Sequence, residues 1–160
     1  MIRPATLDDA GAIAAIWNPI IRDTSFTFTT VEKTEAAIRA FITQRQRDGR
    51  AVLVHARGAV TGFASYDAFR AGPGYALCME HSLYLAQQAR GQGLGAALMT
   101  ALEAHARAAG HRMFIAAISK SNSAALGFHR AQGFVQVGLI PQAGWKFDMA
   151  QDLVLMQKFL

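Results

Sequence analysis

Residues 87–110 read QQARGQGLGAALMTALEAHARAAG. Glycines at 91, 93 and 95 alternate with Gln92 and Leu94, and strong helix formers follow at once. Glycine tolerates positive φ and lets a ligand approach the main chain closely. At the start of the helix that follows, free N–H groups and the helix dipole favour an anion. Leu83, Tyr84 and Leu85 end a strand-like run, ALCMEHSLYLA, so the whole reads as strand, bend and helix. The N–H groups from Gly91 to Ala96 are then expected to point at phosphate oxygens. A flexible turn without a ligand is the plainer alternative, but alternating glycines ahead of helix formers are a costly way to build one.

Two known phosphate motifs can be tested against this stretch. Gly91, Gly93 and Ala96 formally fit the dinucleotide pattern G-x-G-x-x-G/A. That fold also needs an acidic residue about twenty positions on, to hold a ribose. The next strand ends in AISKSN, with no carboxylate, and the unit lies mid-chain instead of opening the fold. The P-loop fails because no Gly-Lys-Ser/Thr follows the glycines.

Outward from this unit, IRPA reads as a short strand and AGAIAAIWNPII as a helix capped from the Thr6–Asp9 region. Pro19 is expected to kink that helix or end its regular part. TSFTFTT reads as an extended segment or pocket-lining loop, and Thr34–Arg47 as a helix with Ala37, Ile38, Phe41 and Ile42 on one face. AVLVHA and VTGFASYDAF are strands joined at Arg57-Gly58. RMFIAAIS is a strand, Asn122–Gln132 a helix closed by Gly133, and FVQVGLI and DLVLMQKFL are late strands. AGPGY and PQAGW read as loops. Consecutive strands imply antiparallel pairing, and a helix between strands implies one parallel crossover. The expected fold is α/β, or α+β: a mixed, mostly antiparallel twisted sheet flanked by helices, in a single domain over residues 1–160.

Composition narrows the class. The chain has 160 residues, 52% of them apolar, which suits one domain with one core. A net charge of +5, mostly from arginine, favours an anionic ligand. The basic residues are scattered, without a helix-turn-helix or aromatic RNA-binding signature, so no nucleic-acid partner is expected. Pro4, Asp8 and Asp9 interrupt any signal-like core, and no apolar run is long enough for a membrane span. The one cysteine, Cys78, fits a reducing, cytoplasmic setting and reads as a small buried apolar group. No His/Cys spacing suggests zinc, so no metal is expected.

Arg90, Gly93 and Gly95 also match R-x-x-G-x-G, and NSAALGFHRAQGF at 122–134 places an Asn at the start of a short helix ending in Gly-Phe. In this order and separation the two segments resemble the GNAT N-acetyltransferases. Within that family, TSFTFTT, TGFASYDAFR, EHSLYLAQQARGQGLG and WKFDMAQDLVLMQKFL look like blocks of the phosphinothricin and methionine sulfone/sulfoximine acetyltransferase group. The resemblance extends over nearly the whole chain. Gln87, Ser121 and Ala125 depart from the residues common in the family, and none of them touches the glycine motif.

The resemblance implies acetyl-CoA as cosubstrate, without a metal. It would be held by Leu83, Tyr84 and Leu85 at the strand end, by Arg90, Gly91, Gln92, Gly93, Leu94, Gly95 and Ala96, and by Asn122. It implies direct transfer in a ternary complex to the α-amine of a small amino-acid-like acceptor, and a homodimer. The alternatives are another small amine, a protein N-terminus, or a non-catalytic CoA-binding module; the last is opposed by Glu80.

Acetyl transfer to an amine needs a neutral amine, a donor for the developing oxyanion, and relief of the thiolate. Glu80 lies in an otherwise apolar strand, where a carboxylate either faces water at an edge or serves a cleft. By resemblance it is the base, directly or through water, with an N–H near Leu83 as oxyanion donor. On an ideal strand Glu80, Ser82 and Tyr84 share one face, and His81 and Leu83 the other. By resemblance His129 serves the leaving-group side; otherwise it is a packed helix histidine. His81 is a pocket residue or a structural one. Phe28 and Arg70 are acceptor-pocket candidates, Arg70 as a partner for a carboxylate, sulfone or phosphinate. Trp17 and Phe26 read as packing, and His55, His105 and His111 as surface or structure.

Overall fold

The chain alternates apolar residues along its strands and spaces them at three and four along its helices. A computed structural model describes all residues, 1–160, and turns this pattern into a sheet covered on both faces. The elements are β1 (Ile2–Pro4), α1 (Ala10–Asp23), α2 (Glu35–Arg47), β2 (Val52–Arg57), β3 (Ala59–Ala68), β4 (Cys78–Leu85), α3 (Leu94–Ala108), β5 (Met113–Ser119), α4 (Ser123–Ala131), β6 (Val135–Lys146) and β7 (Met149–Phe159). The seven strands run β1-β2-β3-β4-β5-β7-β6 across the sheet. Only β4 and β5 are parallel, because α3 carries the chain back between them.

Strand alternation sorts the core into two clusters. Val52, Val54 and Phe63 pack with Ile13, Ile16, Ile38 and Ile42 of α1 and α2. Leu53, Ala64, Tyr66, Met79 and Phe114 pack with Leu98, Met99 and Leu102 of α3 and with Leu126 of α4. Neighbouring residues of one strand thus serve opposite layers. No helix is long and apolar enough to cross a membrane.

One local expectation is narrowed and another corrected. α1 does not end at Pro19 but runs through it to Asp23. Pro19 removes the donor for the Ala15 carbonyl, but both residues are exposed, so water meets the freed group. PQAGW is not a loop. It lies inside β6, which carries irregular register around Gln136/Gly138 and Ile140/Gly144. The β6–β7 hairpin then closes tightly on Phe147 and Asp148, both at positive φ (54° and 56°), between the paired Lys146 and Met149. A two-residue turn with both φ positive matches the twist of the strands it joins.

Candidate active site

The parallel pairing of β4 and β5 is short. It covers Cys78–Glu80 against Met113–Ile115 and stops. Beyond it β4 stays with β3 as far as Leu85, and β5 stays with β7 as far as Ser119. The two strands separate after Glu80, and the sheet opens into a cleft with Glu80 at its apex.

Two cavities meet in this opening. One, about 400 Å³, is bordered by Glu80, Ser82, Tyr84, Phe26, Thr27 and Phe28, with His81, Leu83 and the end of β5. The other, about 480 Å³, is bordered by Leu83, Tyr84, Leu85, Arg90, Gly91 and Gly93–Ala96, with Phe128 and Gln132 of the α4 side. Phe26, Leu83, Tyr84, Asn122, Ala125 and His129 border both.

The glycines divide their work. Gly91 and Gly93 sit at φ of 75° and 76°, with open space where a side chain would stand. They are there for backbone conformation. Gly95 is helical, and a Cβ on it would come within 3.2 Å of the Phe128 ring, so it is there for close packing of α3 on α4. The N–H groups from Gly91 to Ala96 find no acceptor within the protein; the first that does is Ala97, on the Gly93 carbonyl at 3.1 Å. A consecutive run of free donors at a helix N-terminus, beside Arg90, fits a diphosphate. Gln92 borders neither cavity with its side chain, which donates to the Gln88 carbonyl at 2.8 Å. Its contribution to such a site is its main chain.

Asn122 does two jobs at once. Its Oδ1 accepts from the Ala125 N–H at 3.1 Å and caps α4. Its other amide atom remains free at the junction of the two cavities.

Glu80 is half-buried, and burial raises its carboxyl above the ordinary range. Nearby Arg70 opposes that rise, and Asp67, directly across on β3, adds to it. Asp67 is itself held by Arg45 at 2.6 Å and by Arg50. Arg70 acts on Glu80 through its charge only: it borders neither cavity, and its guanidinium lies over Phe69, 5.2 Å from the ring centre.

The face assignment along β4 holds. Tyr84 packs at 5.3 Å from both Trp17 and Phe63, on the α1 side. His81 faces the α3–α4 side, among Phe114, His129 and Phe134. His81 and His129 are both buried, and their Nε2 atoms lie 3.2 Å apart. His129 Nδ1 lies 2.7 Å from the Ala125 carbonyl, which can only accept. His129 therefore carries its proton on Nδ1, and its Nε2 accepts from the Nε2–H of His81. His81 Nδ1 is left buried without a partner. Burial lowers both imidazoles, His81 to about 3, with the charge of His129 adding to the fall. In this arrangement His129 has no proton free for a departing sulfur; giving one requires both rings to change tautomer. Phe26, read as packing, borders both cavities, and the alternation in TSFTFTT was the signal for it.

An opened parallel strand pair, a donor-lined loop on one side and a carboxyl at the apex suit an enzyme that brings a diphosphate-bearing donor against a second molecule. The sequence model of the Acetyltransferase (GNAT) family matches residues 17–134. The chain is 39% identical to an L-methionine sulfoximine/L-methionine sulfone acetyltransferase of Pseudomonas aeruginosa, over 98% of this chain and 92% of that one. Its structure matches a ribosomal-protein-alanine N-acetyltransferase of Brucella melitensis with a TM-score of 0.97 at 38% identity, covering 100% and 99% of the two chains. It also matches a phosphinothricin acetyltransferase of Sinorhizobium meliloti, in complex with acetyl-CoA, with a TM-score of 0.94 at 31% identity, covering 100% and 88%. The chain belongs to the GNAT family and is an N-acetyltransferase.

Proposed function

We propose that the enzyme acetylates the α-amine of a small amino-acid-like acceptor of the methionine sulfone, methionine sulfoximine or phosphinothricin type. The observation that carries this is Glu80 at the apex of the strand opening, on the wall of the aromatic-lined cavity that adjoins the donor-lined one.

Acetyl-CoA supplies the acetyl thioester. The N–H groups of Gly91–Ala96, with Arg90, hold its diphosphate, and the open edge of β4 from Leu83 to Leu85 receives the pantetheine arm. Asn122 contributes its free amide atom at the junction. Glu80 takes the proton that the acceptor ammonium must lose before it attacks, directly or through a water. A carboxyl raised by burial is the stronger base for that step. The N–H at Leu83 is the proposed donor to the developing oxyanion. Phe28 shapes the acceptor cavity, and Arg70 biases it towards an anionic acceptor by charge at a distance. His81 and His129 act as a neutral pair that seats α4 against β4.

Direct transfer is the proposed course. Cys78 borders neither cavity, and burial followed by the charge of Glu80 raises its thiol, which counts against a cysteine acyl-enzyme. The lone cysteine supports a cytoplasmic setting. A homodimer is proposed from the edge strand β6, whose Val135, Val137, Leu139, Ile140 and Trp145 are exposed. A second copy is the partner proposed to cover them.

One neighbour favours a second reading. The Brucella protein named for acetylating a ribosomal-protein alanine makes a peptide N-terminus the rival acceptor.

CoA release from acetyl-CoA, read with a thiol reagent across a panel of amines, tests these readings. Methionine sulfone, methionine sulfoximine and phosphinothricin should outpace ordinary amino acids and an alanine-starting peptide. Faster turnover of the peptide would install the rival. CoA binding without turnover of any amine would leave a binding module.

A further inference from the structure

Lys146 is a lysine with no carboxylate. It ends β6 and is 4% exposed. Its Nζ donates to the Ile21 carbonyl at 2.6 Å and to the Thr27 carbonyl at 2.8 Å. Ile21 lies in the last turn of α1, where carbonyls lack helical donors and carry the negative end of the dipole. Thr27 lies in the irregular segment after α1 and borders the acceptor cavity between Phe26 and Phe28. One buried ammonium thus joins the end of α1 to the middle of the cavity wall.

Two residues earlier on β6, Gly144 meets the same wall. A Cβ there would overlap the ring of Phe28. The ring lies against bare backbone, in space that only glycine leaves open. The remaining ties of the segment are slighter: Thr24 Oγ1 donates to the Ile20 carbonyl at 2.7 Å and accepts from Phe26 N–H at 3.2 Å, and Ser25 and Ser121 hydroxyls meet at an exposed site, 3.1 Å apart.

We propose that the Gly144–Lys146 stretch of β6 is the positioning device of the acceptor cavity: Lys146 fixes the Thr27 main chain, Gly144 seats Phe28, and together they set the room left for the acceptor side chain. Lys146 touches no substrate; it acts through Thr27 and Phe28. Removing its ammonium frees two carbonyls and lets the wall drift, at a cost in acceptor binding and alignment. The donor-lined cavity shares no hydrogen bond with Lys146 and is expected to stay as it is.

The inference rests on the acceptor reading of this cavity, so the test pairs an activity measurement with one that needs no acceptor. Lys146→Met should raise the acceptor KM about tenfold or more while the acetyl-CoA KM stays within about twofold. Lys146→Arg should recover part of the loss, because a guanidinium still donates to both carbonyls. In parallel, NMR backbone order parameters should fall over residues 24–30 in Lys146→Met and remain unchanged over 91–97. Gly144→Ala, which leaves the ammonium in place, should also raise the acceptor KM, and it carries the test if Lys146→Met does not fold. Equal loss for both substrates, or unchanged order parameters over 24–30, overturns the proposal. Lowered order parameters over 24–30 in an enzyme that turns over none of the tested amines keep the positioning role and count against the proposed acceptors instead.

Discussion

The two cavities at the strand opening are made from different parts of the chain. The side bordered by Gly91–Ala96 is built mainly of backbone: two glycines at positive φ, a helix start, and consecutive N–H groups without internal acceptors. The side bordered by Phe26–Phe28 is built of side chains, and its wall is braced from β6, more than a hundred residues away in sequence. Backbone donors read the feature that every molecule of one cosubstrate shares. Side chains on an irregular segment can be reshaped without disturbing the helix start. One half of the site is therefore suited to a fixed ligand, and the other to a selected one.

The largest expected effect lies at the apex of the strand opening. Glu80→Gln should lower kcat by about 10²–10⁴ and leave the acetyl-CoA KM nearly unchanged, which steady-state kinetics with both substrates will show. The pH profile carries the sign. Glu80 works as the anion, and its carboxyl is raised, so the wild-type rate should fall as pH drops through a value above the ordinary carboxylate range. That limb should vanish in the variant; a retained limb would remove Glu80 as the base.

Next comes the backbone half. Gly93→Val imposes a branched side chain on a φ of 76°, at about 1–2 kcal/mol of strain, and should distort the N–H run. Calorimetry should find acetyl-CoA binding weakened about tenfold, while the acceptor KM hardly moves. The mirror image is expected on the side-chain half, where Lys146→Met spares the acetyl-CoA KM. If either substitution damaged both KM values equally, the division between the halves would fail.

A smaller effect concerns the imidazole pair beneath the junction. His81 and His129 are held neutral in the fold, with proton affinities below those of the unfolded chain. The unfolded chain then binds more protons, so stability should be full above the ordinary histidine range and fall as pH drops below it, towards about 3. Melting temperatures between pH 7 and 5 should show this slope, and His81→Phe should flatten it. The smallest effect is the sharpest check on a cradle made of backbone. Gln92→Ala should change acetyl-CoA binding by less than about twofold, since its side chain is turned to the Gln88 carbonyl.

Legibility in the sequence followed the same division. The strand–bend–helix unit at 83–108, the cap at Asn122 and the position of Glu80 on a buried strand were readable, because each depends on neighbours within a few residues. Pro19 left open whether the helix bends or ends, because what a freed carbonyl costs depends on its exposure to water. The stretch Pro141–Trp145 misled because turn-forming residues also occupy an irregular edge strand. Lys146 and Gly144 gave no signal at all: a lysine bonded to carbonyls and a glycine under a ring look ordinary until the segments meet.

By itself, then, the sequence determined most of the strands and helices, the glycine-rich bend at 91–95, and the supply of free donors ahead of α3. These are matters of local torsion and hydrogen-bond accounting, fixed within a few residues. The tertiary structure alone decided that β4 and β5 part at Glu80, that His81 and His129 share one proton between their facing nitrogens, and that β6 braces the Thr27–Phe28 wall. Each is a meeting of distant segments, and the proton position, burial and charge that matter there exist only once the chain has closed on itself.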